Sequence, residues 1–243
     1  MARTRNRQLE LSNGEFIAFL DQDDLWMPAK LEKQMLLFEE NPRAGVVYSR
    51  AIYFNDEGYT YQQSRKKKLH RGRVFGELLK GNFVPVLSAV IRKDVLDTLG
   101  EWFDERFNIV GDADLFLRIA HDYEINYVDE PLAKRRMHKE SCSFKKKELR
   151  HKEKKILINK LKELYPSINK DYSSELTLME SQISYDESIT CWMNGEKQKV
   201  RHHLQPFLKV DKKFLLPYVL SYLVSYRVYK VVLKMCGKFV YAP

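Results

Sequence analysis

Cysteine is scarce in this sequence. The 243 residues include three cysteines, Cys142, Cys191 and Cys236, which lie far apart and are odd in number. This spacing fits neither a metal-binding pattern nor a disulfide framework, and it suits a reducing compartment. Glycine and proline, at 10 and 8 residues, are too few for a low-complexity chain, and no internal repeat is visible.

Long apolar runs are also absent. The longest uncharged stretch covers residues 214–226, and Pro217 interrupts it. That is too short to span a bilayer, which takes about 20 apolar residues. The charged N-terminus is not followed by an apolar segment, so we do not interpret it as a secretory signal. We therefore expect a cytoplasmic protein, with peripheral attachment at the inner face of the membrane as a further expectation.

Positive charge is in excess, with 42 Lys and Arg against 33 Asp and Glu and a formal net charge of +9. Such a chain favours anionic partners: nucleotide phosphates, anionic lipid or nucleic acid. Residues 65–73 form a basic block, which we interpret as a solvated loop, with a phosphate clamp or docking patch as the alternative. No helix-turn-helix, zinc-finger or RNP-like pattern occurs, so we expect no nucleic-acid partner.

Three carboxylates follow an apolar run near the N-terminus. Residues 16–20 predict a buried strand, and Asp21, Asp23 and Asp24 come directly after it. In an extended chain Asp21 and Asp23 share one side, where they repel each other unless a cation lies between them. Mg²⁺ or Mn²⁺ prefers such oxygen ligands. The alternative is that the acidic residues cap the next helix.

The rest of the first 147 residues alternates between helix and strand patterns. Helices are predicted at 28–40, 75–80, 93–99 and from 111, and strands at 46–54, 59–63, 86–92 and 125–128, with an extended piece at 132–137. Beyond residue 147 the composition becomes charged and helical, with helices at 174–194, 198–208 and 213–234. We therefore predict an α/β domain at 1–147 and an α-helical region at 148–243.

Two later clusters carry further chemistry. Asp112 and Asp114 stand at the predicted start of a helix, where a carboxylate can serve as a general base or can cap the helix. The second cluster is Arg136 and His138, with Ser141 and Ser143 behind them. His138 could bind a metal or simply make a surface hydrogen bond, and Arg136 could bind a phosphate or a local carboxylate.

Residues 3–145 resemble family 2 glycosyltransferases, which are nucleotide-sugar-dependent enzymes of GT-A fold. The first motif that carries the resemblance consists of Arg5-Asn6, Gly14-Glu15, the Asp21 to Asp24 segment, Trp26, Pro28, Lys30-Leu31 and Gln34. Further matches are residues 82–105, an Asp-Leu-x-x-Arg helix preceded by Asp112, and the Arg136-x-His138 segment. The family usually has Glu where this chain has Gly111.

The resemblance implies a GT-A-like, Rossmann-related mixed sheet flanked by helices. It also implies sugar transfer, with inversion, from a nucleotide-diphosphate sugar to a saccharide or lipid-linked acceptor in surface polysaccharide or glycan synthesis. A divalent cation, Mg²⁺ or Mn²⁺, would be the cofactor. By this resemblance Asp112 is the catalytic base, the metal ligands are Asp21, Asp23 and His138, and the substrate-binding residues are Asp21, Asp24, Trp26, Ser88 and Arg136.

The chain departs from the family at its N-terminus, because the usual upstream nucleotide-binding segment has no counterpart before residue 3. We therefore expect an N-terminally truncated domain, and the alternative function is an inactive or partner-dependent binding module. For residues 213–234 a packed core helix is favoured, because Leu216, Leu220 and Leu223 form a helical stripe. The alternative is a helix on a membrane surface, with Lys213, Arg227, Lys230 and Lys234 near the headgroups.

Overall fold

A computed structural model describes residues 1–58, 60–62, 68–138 and 149–235. The chain divides into two compact units, Met1–Lys146 and Lys147–Pro243, called unit 1 and unit 2 below. Cys142, Cys236, Ser141, Ser143 and residues 65–67 of the basic block lie outside the described residues. That unit 1 is a partial enzyme domain and unit 2 an appendage stays a prediction.

Unit 1 alternates helices and strands. Its elements are α1 (Ala2–Glu10), β1 (Phe16–Ile17), β2 (Leu25–Trp26), α2 (Lys30–Glu40), β3 (Ala44–Phe54), β4 (Thr60–Gln62), α3 (Phe75–Lys80), a 3₁₀ turn (Val86–Ser88), β5 (Val90–Arg92), α4 (Lys93–Asp97), α5 (Gly111–Asp122) and β6 (Glu124–Arg136).

The described strands form one six-stranded sheet in the order β1-β5-β3-β6-β2, with β4 also paired to β3. The long strands β3 and β6 run parallel, and the other pairs are antiparallel. Parallel neighbours need a crossover connection, which here includes α3, α4 and α5. The predicted class, a mixed α/β sheet flanked by helices, is confirmed.

Both faces of the sheet are covered. Phe38 of α2 joins a buried cluster with Ala44, Val47 and Val90. On β3, Gly45 is approached so closely that an added Cβ would lie 2.9 Å from Cβ of Tyr123. Strand β3 is therefore buried over most of its length, as its β-branched and aromatic content predicts.

Several predicted boundaries change. The predicted strand 16–20 keeps only Phe16–Ile17, because it pairs with the short strand β5 at those two residues alone. A turn at Asp21–Asp24 follows three residues later, closed by the Asp24 amide donating to the Asp21 carbonyl at 3.0 Å. The predicted strand 86–92 begins with a 3₁₀ turn after Pro85, and only Val90–Arg92 is strand. The pieces predicted at 125–128 and 132–137 are one strand, β6, which pairs with β3 through shifts in register.

Unit 2 is helical. Its elements are α6 (Arg150–Leu164), α7 (Ile168–Asp171), α8 (Ser173–Met193), α9 (Lys197–Leu204), 3₁₀ turns at Gln205–Phe207 and Lys212–Phe214, α10 (Leu215–Leu223) and α11 (Tyr226–Met235). The helix predicted at 213–234 is thus two helices. Trp192, Val200, Leu204, Phe214 and Tyr229 form the buried cluster of this unit. No helix within the described ranges is long and apolar enough to cross a bilayer.

Candidate active site

The turn Asp21–Asp24 places its three carboxylates in three different environments. The Asp21 side chain is 46% exposed and that of Asp23 is 36% exposed, whereas Asp24 is buried, with 8% of its surface accessible. In the extended chain that the sequence predicts, Asp21 and Asp23 would lie on one side. The turn changes this geometry, and each carboxylate has its own cationic or N–H partner.

Arg5 joins the Asp21–Asp24 turn to Asp112. Its Nη1 donates to Oδ1 of Asp112 at 2.5 Å, and its Nη2 lies 3.3 Å from Oδ2 of Asp21. The guanidinium is buried between the rings of Phe19 and Phe103, with its Cζ 5.6 and 5.3 Å from their centroids. Arg5 therefore fixes the predicted base relative to the predicted metal ligand.

The role of Arg5 was not predicted from the sequence. In α1 the buried residues are Ala2, Arg5 and Leu9, which share one helical face. The neighbouring Asn6 holds the backbone of Phe103 from both sides, donating to its carbonyl at 2.8 Å and accepting from its amide at 2.9 Å. The sequence signal for this role is a basic residue on the apolar face of an amphipathic helix. Such a residue is buried, and a buried charge requires a charged partner.

Asp23 and His138 link the turn to the segment that follows β6. His138 Nε2 lies 2.8 Å from Oδ2 of Asp23. His138 follows the end of β6, and β2 pairs with β6 at Leu25 and Lys134, so the strand pairing brings the turn and the histidine together. This contact joins residues 115 positions apart, which the sequence predicted to meet.

The buried side chain of Asp24 is held in place by a hydrogen bond from the backbone. Its Oδ1 accepts the amide N–H of Arg136 at 2.9 Å. Burial raises the pKa of Asp24 to about 6, and the hydrogen bond from Arg136 opposes that rise. The guanidinium of Arg136 pairs with Asp56, donates to the Asp23 carbonyl at 3.3 Å and lies over the Phe54 ring. Of the two predicted partners, phosphate or carboxylate, the structure therefore gives Arg136 a local carboxylate.

Trp26 and Ser88 are the remaining predicted substrate contacts. The indole Nε1 of half-buried Trp26 donates to the Leu87 carbonyl at 2.9 Å, and Lys30 Nζ lies 4.4 Å from its ring centroid. Ser88 is fully buried, and its hydroxyl donates to the Pro85 carbonyl at 2.8 Å. Its place inside the sheet packing argues against direct contact with a substrate.

Asp112 and Asp114 both lie in the first turn of α5, where the helix dipole favours carboxylates. Asp112 is part-exposed, and its Oδ2 has no hydrogen bond among the described residues. Asp114 is fully buried and paired with Arg118, whose Nη2 lies 2.8 Å from Asp114 Oδ2. Arg118 also donates to the Glu101 carbonyl, so this second aspartate anchors the loop before α5.

The donor set is chemically suited to a hard divalent cation but is incomplete as a protein site. Asp23 and His138 are in contact, whereas Asp21 faces Arg5. Across the described ranges no three His, Cys, Asp or Glu side chains form a group that could hold a metal ion. Mg²⁺ is commonly bound through one or two carboxylates, with substrate phosphates supplying further oxygens. The pair therefore fits such an ion only together with a phosphate ligand.

The described end of the basic block is attached to the sheet. The His70 amide donates to the Tyr48 hydroxyl at 3.0 Å, and that hydroxyl donates to the His70 carbonyl at 3.1 Å. Gly72 forms an antiparallel bridge with Ile125. Residues 70–72 are therefore a loop that is attached to the sheet at His70 and Gly72, with Arg71 exposed.

The family model described as "Glycosyl transferase family 2" matches residues 1–100. Over 135 residues the chain is 27% identical to an uncharacterized glycosyltransferase of Methanocaldococcus jannaschii, covering 55% of this chain and 46% of that protein. Over 163 residues it is 28% identical to WfgD of Escherichia coli, a UDP-Glc:alpha-D-GlcNAc-diphosphoundecaprenol beta-1,3-glucosyltransferase, covering 67% and 56%. The chain spans about half the length of the curated relatives it matches.

Among solved structures, TarS of S. aureus (residues 1–349) superposes with a TM-score of 0.56 at 15% identity, covering 86% of this chain and 60% of that one. A complex of the same TarS fragment with UDP-GlcNAc gives a TM-score of 0.55 at 14% identity, covering 86% and 62%. These likenesses show the fold, which is similar to that of the GT-A glycosyltransferase TarS. The family match covers 100 of the 243 residues and the relatives are 27–28% identical, so these comparisons show that the chain is similar to glycosyltransferases.

Proposed function

We propose that this chain transfers a sugar from a nucleotide-diphosphate sugar to an acceptor hydroxyl in polysaccharide synthesis, with inversion at the anomeric carbon. The observation that carries the proposal is that buried Arg5 bridges Asp112 and Asp21, while His138 contacts Asp23 of the same turn. The relative WfgD is named for a lipid-linked acceptor and a nucleotide sugar donor. A lipid-linked sugar is accordingly the acceptor class that we propose first.

Asp112 acts as the general base in this proposal. A sugar hydroxyl is a weak nucleophile until its proton is accepted in the transition state. Arg5 occupies Oδ1 of Asp112, which leaves Oδ2 to accept that proton. Because Arg5 is itself fixed by Asp21 and two aromatic rings, the base cannot swing away from the turn. Such fixed orientation contributes to rate by holding the reacting groups in position.

Asp23 and His138 would hold a divalent cation together with the donor diphosphate. Such an ion, when bound, neutralises negative charge that builds up on the departing nucleoside diphosphate. The protein's own part is to keep the carboxylate and the imidazole in contact at 2.8 Å, with Asp24 and Arg136 holding the turn against β6. Trp26 would line the cleft beside the turn, supported by its hydrogen bond to the Leu87 carbonyl.

Activity is tested by incubating the purified chain with several nucleotide-diphosphate sugars, Mn²⁺ and a diphosphate-lipid-linked sugar, with the product identified by mass spectrometry. We expect Asp112→Asn to lower transfer by about 10²-fold or more, the scale of general base catalysis. The matched control is Asp122→Asn at the exposed end of the same helix, which should keep full transfer. Equal transfer by the wild type and Asp112→Asn would contradict the assignment.

Binding separates the enzyme from the binding-module alternative. Calorimetric titration of the wild type with a nucleoside diphosphate should show affinity that rises with Mn²⁺. Asp23→Asn and His138→Ala should each lose the Mn²⁺-dependent part, whereas His121→Ala, a part-exposed histidine of α5, should keep it. Mn²⁺-dependent binding without transfer to any acceptor would favour the binding module, and no binding at all would contradict both functions.

A further inference from the structure

An unpartnered apolar surface lies on α10 of unit 2. Leu215, Leu216, Val219, Tyr222 and Leu223 expose between 40% and 72% of their surface. Successive residues of a helix are about 100° apart, so these five positions fall within one face about 120° wide. We call this set the apolar stripe. The preferred interpretation of the sequence, a core helix buried through Leu216 and Leu223, is wrong for those two residues.

The opposite face of α10 is also apolar, and it is already packed. Pro217 is buried, and Tyr218 and Leu220 pack against the Trp192 cluster. The nine residues of α10 include no charged side chain. A helix on the surface of a soluble protein normally presents charged residues opposite its packed face, and one that is apolar all round is covered on both sides. We therefore expect a binding partner to cover the apolar stripe, as the Trp192 cluster covers the opposite face of α10.

Basic residues flank the apolar stripe along the sequence. After Asp211 the sequence has no Asp or Glu and six basic residues, namely Lys212, Lys213, Arg227, Lys230, Lys234 and Lys238. Lys212 is exposed at the start of the stripe. The guanidinium of Arg201 lies 4.1 Å from the ring centroid of Tyr222, at the other end. In α11, exposed Val228 and Val231 accompany exposed Arg227, so the same composition continues along the chain.

We propose that the apolar stripe and its basic flanks dock on the surface of an anionic lipid bilayer. Leucine, valine and tyrosine would enter the headgroup boundary, and lysine and arginine would meet the lipid phosphates. A second copy of the chain is the poorer occupant, because a symmetric contact through this surface would bring the same positive flanks together. The proposal rests on residues of unit 2 and is independent of the proposed enzymatic activity.

Vesicle co-sedimentation of the full chain tests the docking. We expect binding to vesicles that contain about 30% phosphatidylglycerol in phosphatidylcholine and at least about tenfold weaker binding to phosphatidylcholine alone. Salt at about 0.5 M should release much of the protein, because it screens the basic residues. Failure to bind the anionic vesicles at low salt would overturn the proposal, as would equal binding to both vesicle types.

Variants separate specific docking from general stickiness. Leu223→Glu and Val219→Glu should each weaken binding to anionic vesicles at least about tenfold, because an exposed apolar side chain is replaced by a negative one. The matched control is Leu164→Glu at the exposed end of α6, which should bind like the wild type. Circular dichroism of every variant checks that the fold is kept. Equal losses in Leu164→Glu and Leu223→Glu, or a wild-type dimer that Leu223→Glu dissociates, would overturn the assignment to lipid.

Discussion

The burial of Lys30 leads to a prediction about protein stability. Only 1% of its surface is accessible, yet its ammonium has no hydrogen-bond partner among the described residues. Burial lowers the pKa of Lys30 from 10.5 to about 8. The face of the Trp26 ring, 4.4 Å away, is a favourable contact for the charge. We therefore expect Lys30→Met to stabilise the protein at neutral pH.

The magnitude follows from two opposing effects. Lowering a pKa from 10.5 to about 8 corresponds to roughly 3 kcal/mol against the charged form in the folded state. Methionine keeps an unbranched apolar chain of similar length but loses the cation–π contact, which is worth about 1–2 kcal/mol when desolvated. The expected net gain in the free energy of unfolding is about 1–2 kcal/mol near pH 7.

The pH dependence gives the prediction a second, independent readout. Because the folded-state pKa lies below the unfolded-state pKa, the unfolded chain binds more protons between about pH 8 and pH 10.5. The stability of the wild type should therefore rise with pH through this window, relative to Lys30→Met. The advantage of the variant should be complete below about pH 8 and should shrink towards zero as pH rises to about 10.

Urea unfolding of both proteins at about pH 7 and pH 9.5, followed by circular dichroism, measures the difference. Lys33→Met is the matched control, because Lys33 lies on the same helix, is exposed and pairs with Glu130 at 2.6 Å. It should change the unfolding free energy by less than about 1 kcal/mol and without this pH dependence. If Lys30→Met destabilised the protein by about 1 kcal/mol or more at both pH values, the reasoning about an unsatisfied ammonium would be refuted.

Two further predictions concern the site and the sheet. Arg5→Lys should lower sugar transfer about 10- to 100-fold in the mass-spectrometric assay, because one ammonium cannot span Asp21 and Asp112 as the forked guanidinium does; unchanged transfer would contradict the bridging role. Gly45→Ala should lower the urea-unfolding free energy by about 1–3 kcal/mol, because its Cβ would clash at 2.9 Å, whereas Gly111→Ala, with 3.7 Å of space, should be tolerated; equal effects would contradict the packing argument.

The elements that the sequence predicted well are those fixed by local pattern. Strand β3 reads as a run of β-branched and aromatic residues, and α5 reads as an amphipathic helix with acidic residues in its first turn. Both patterns depend only on which side chains face the core. The mixed sheet follows from them, because alternating strands and helices leave few ways to cover both sheet faces.

The details that were not predicted depend on contacts between distant residues. Nothing adjacent to Arg5 indicates that it meets Asp112, which lies 107 positions away. Ser88 occurs in a stretch with strand-like composition, but Pro85 starts a 3₁₀ turn that draws its hydroxyl inward. The stripe on α10 has a core-like pattern, and only the packing of its other face shows which leucines remain outside.

The short segment of unit 1 that carries the acidic turn also carries two ionisable side chains that are costly to bury. Asp24 and Lys30, six positions apart, are both buried, and burial shifts both pKa values towards the neutral form. Apolar side chains at these two positions would avoid that desolvation, so packing alone does not account for an acid and a base there. Between them lies Trp26, whose ring contacts Lys30 and whose strand β2 ties the acidic turn to β6. Local destabilisation of this kind is expected where a segment serves a site rather than the core. The stability gained by removing the Lys30 charge therefore measures what this segment gives up to keep buried polar groups in the part of the chain that carries the candidate site.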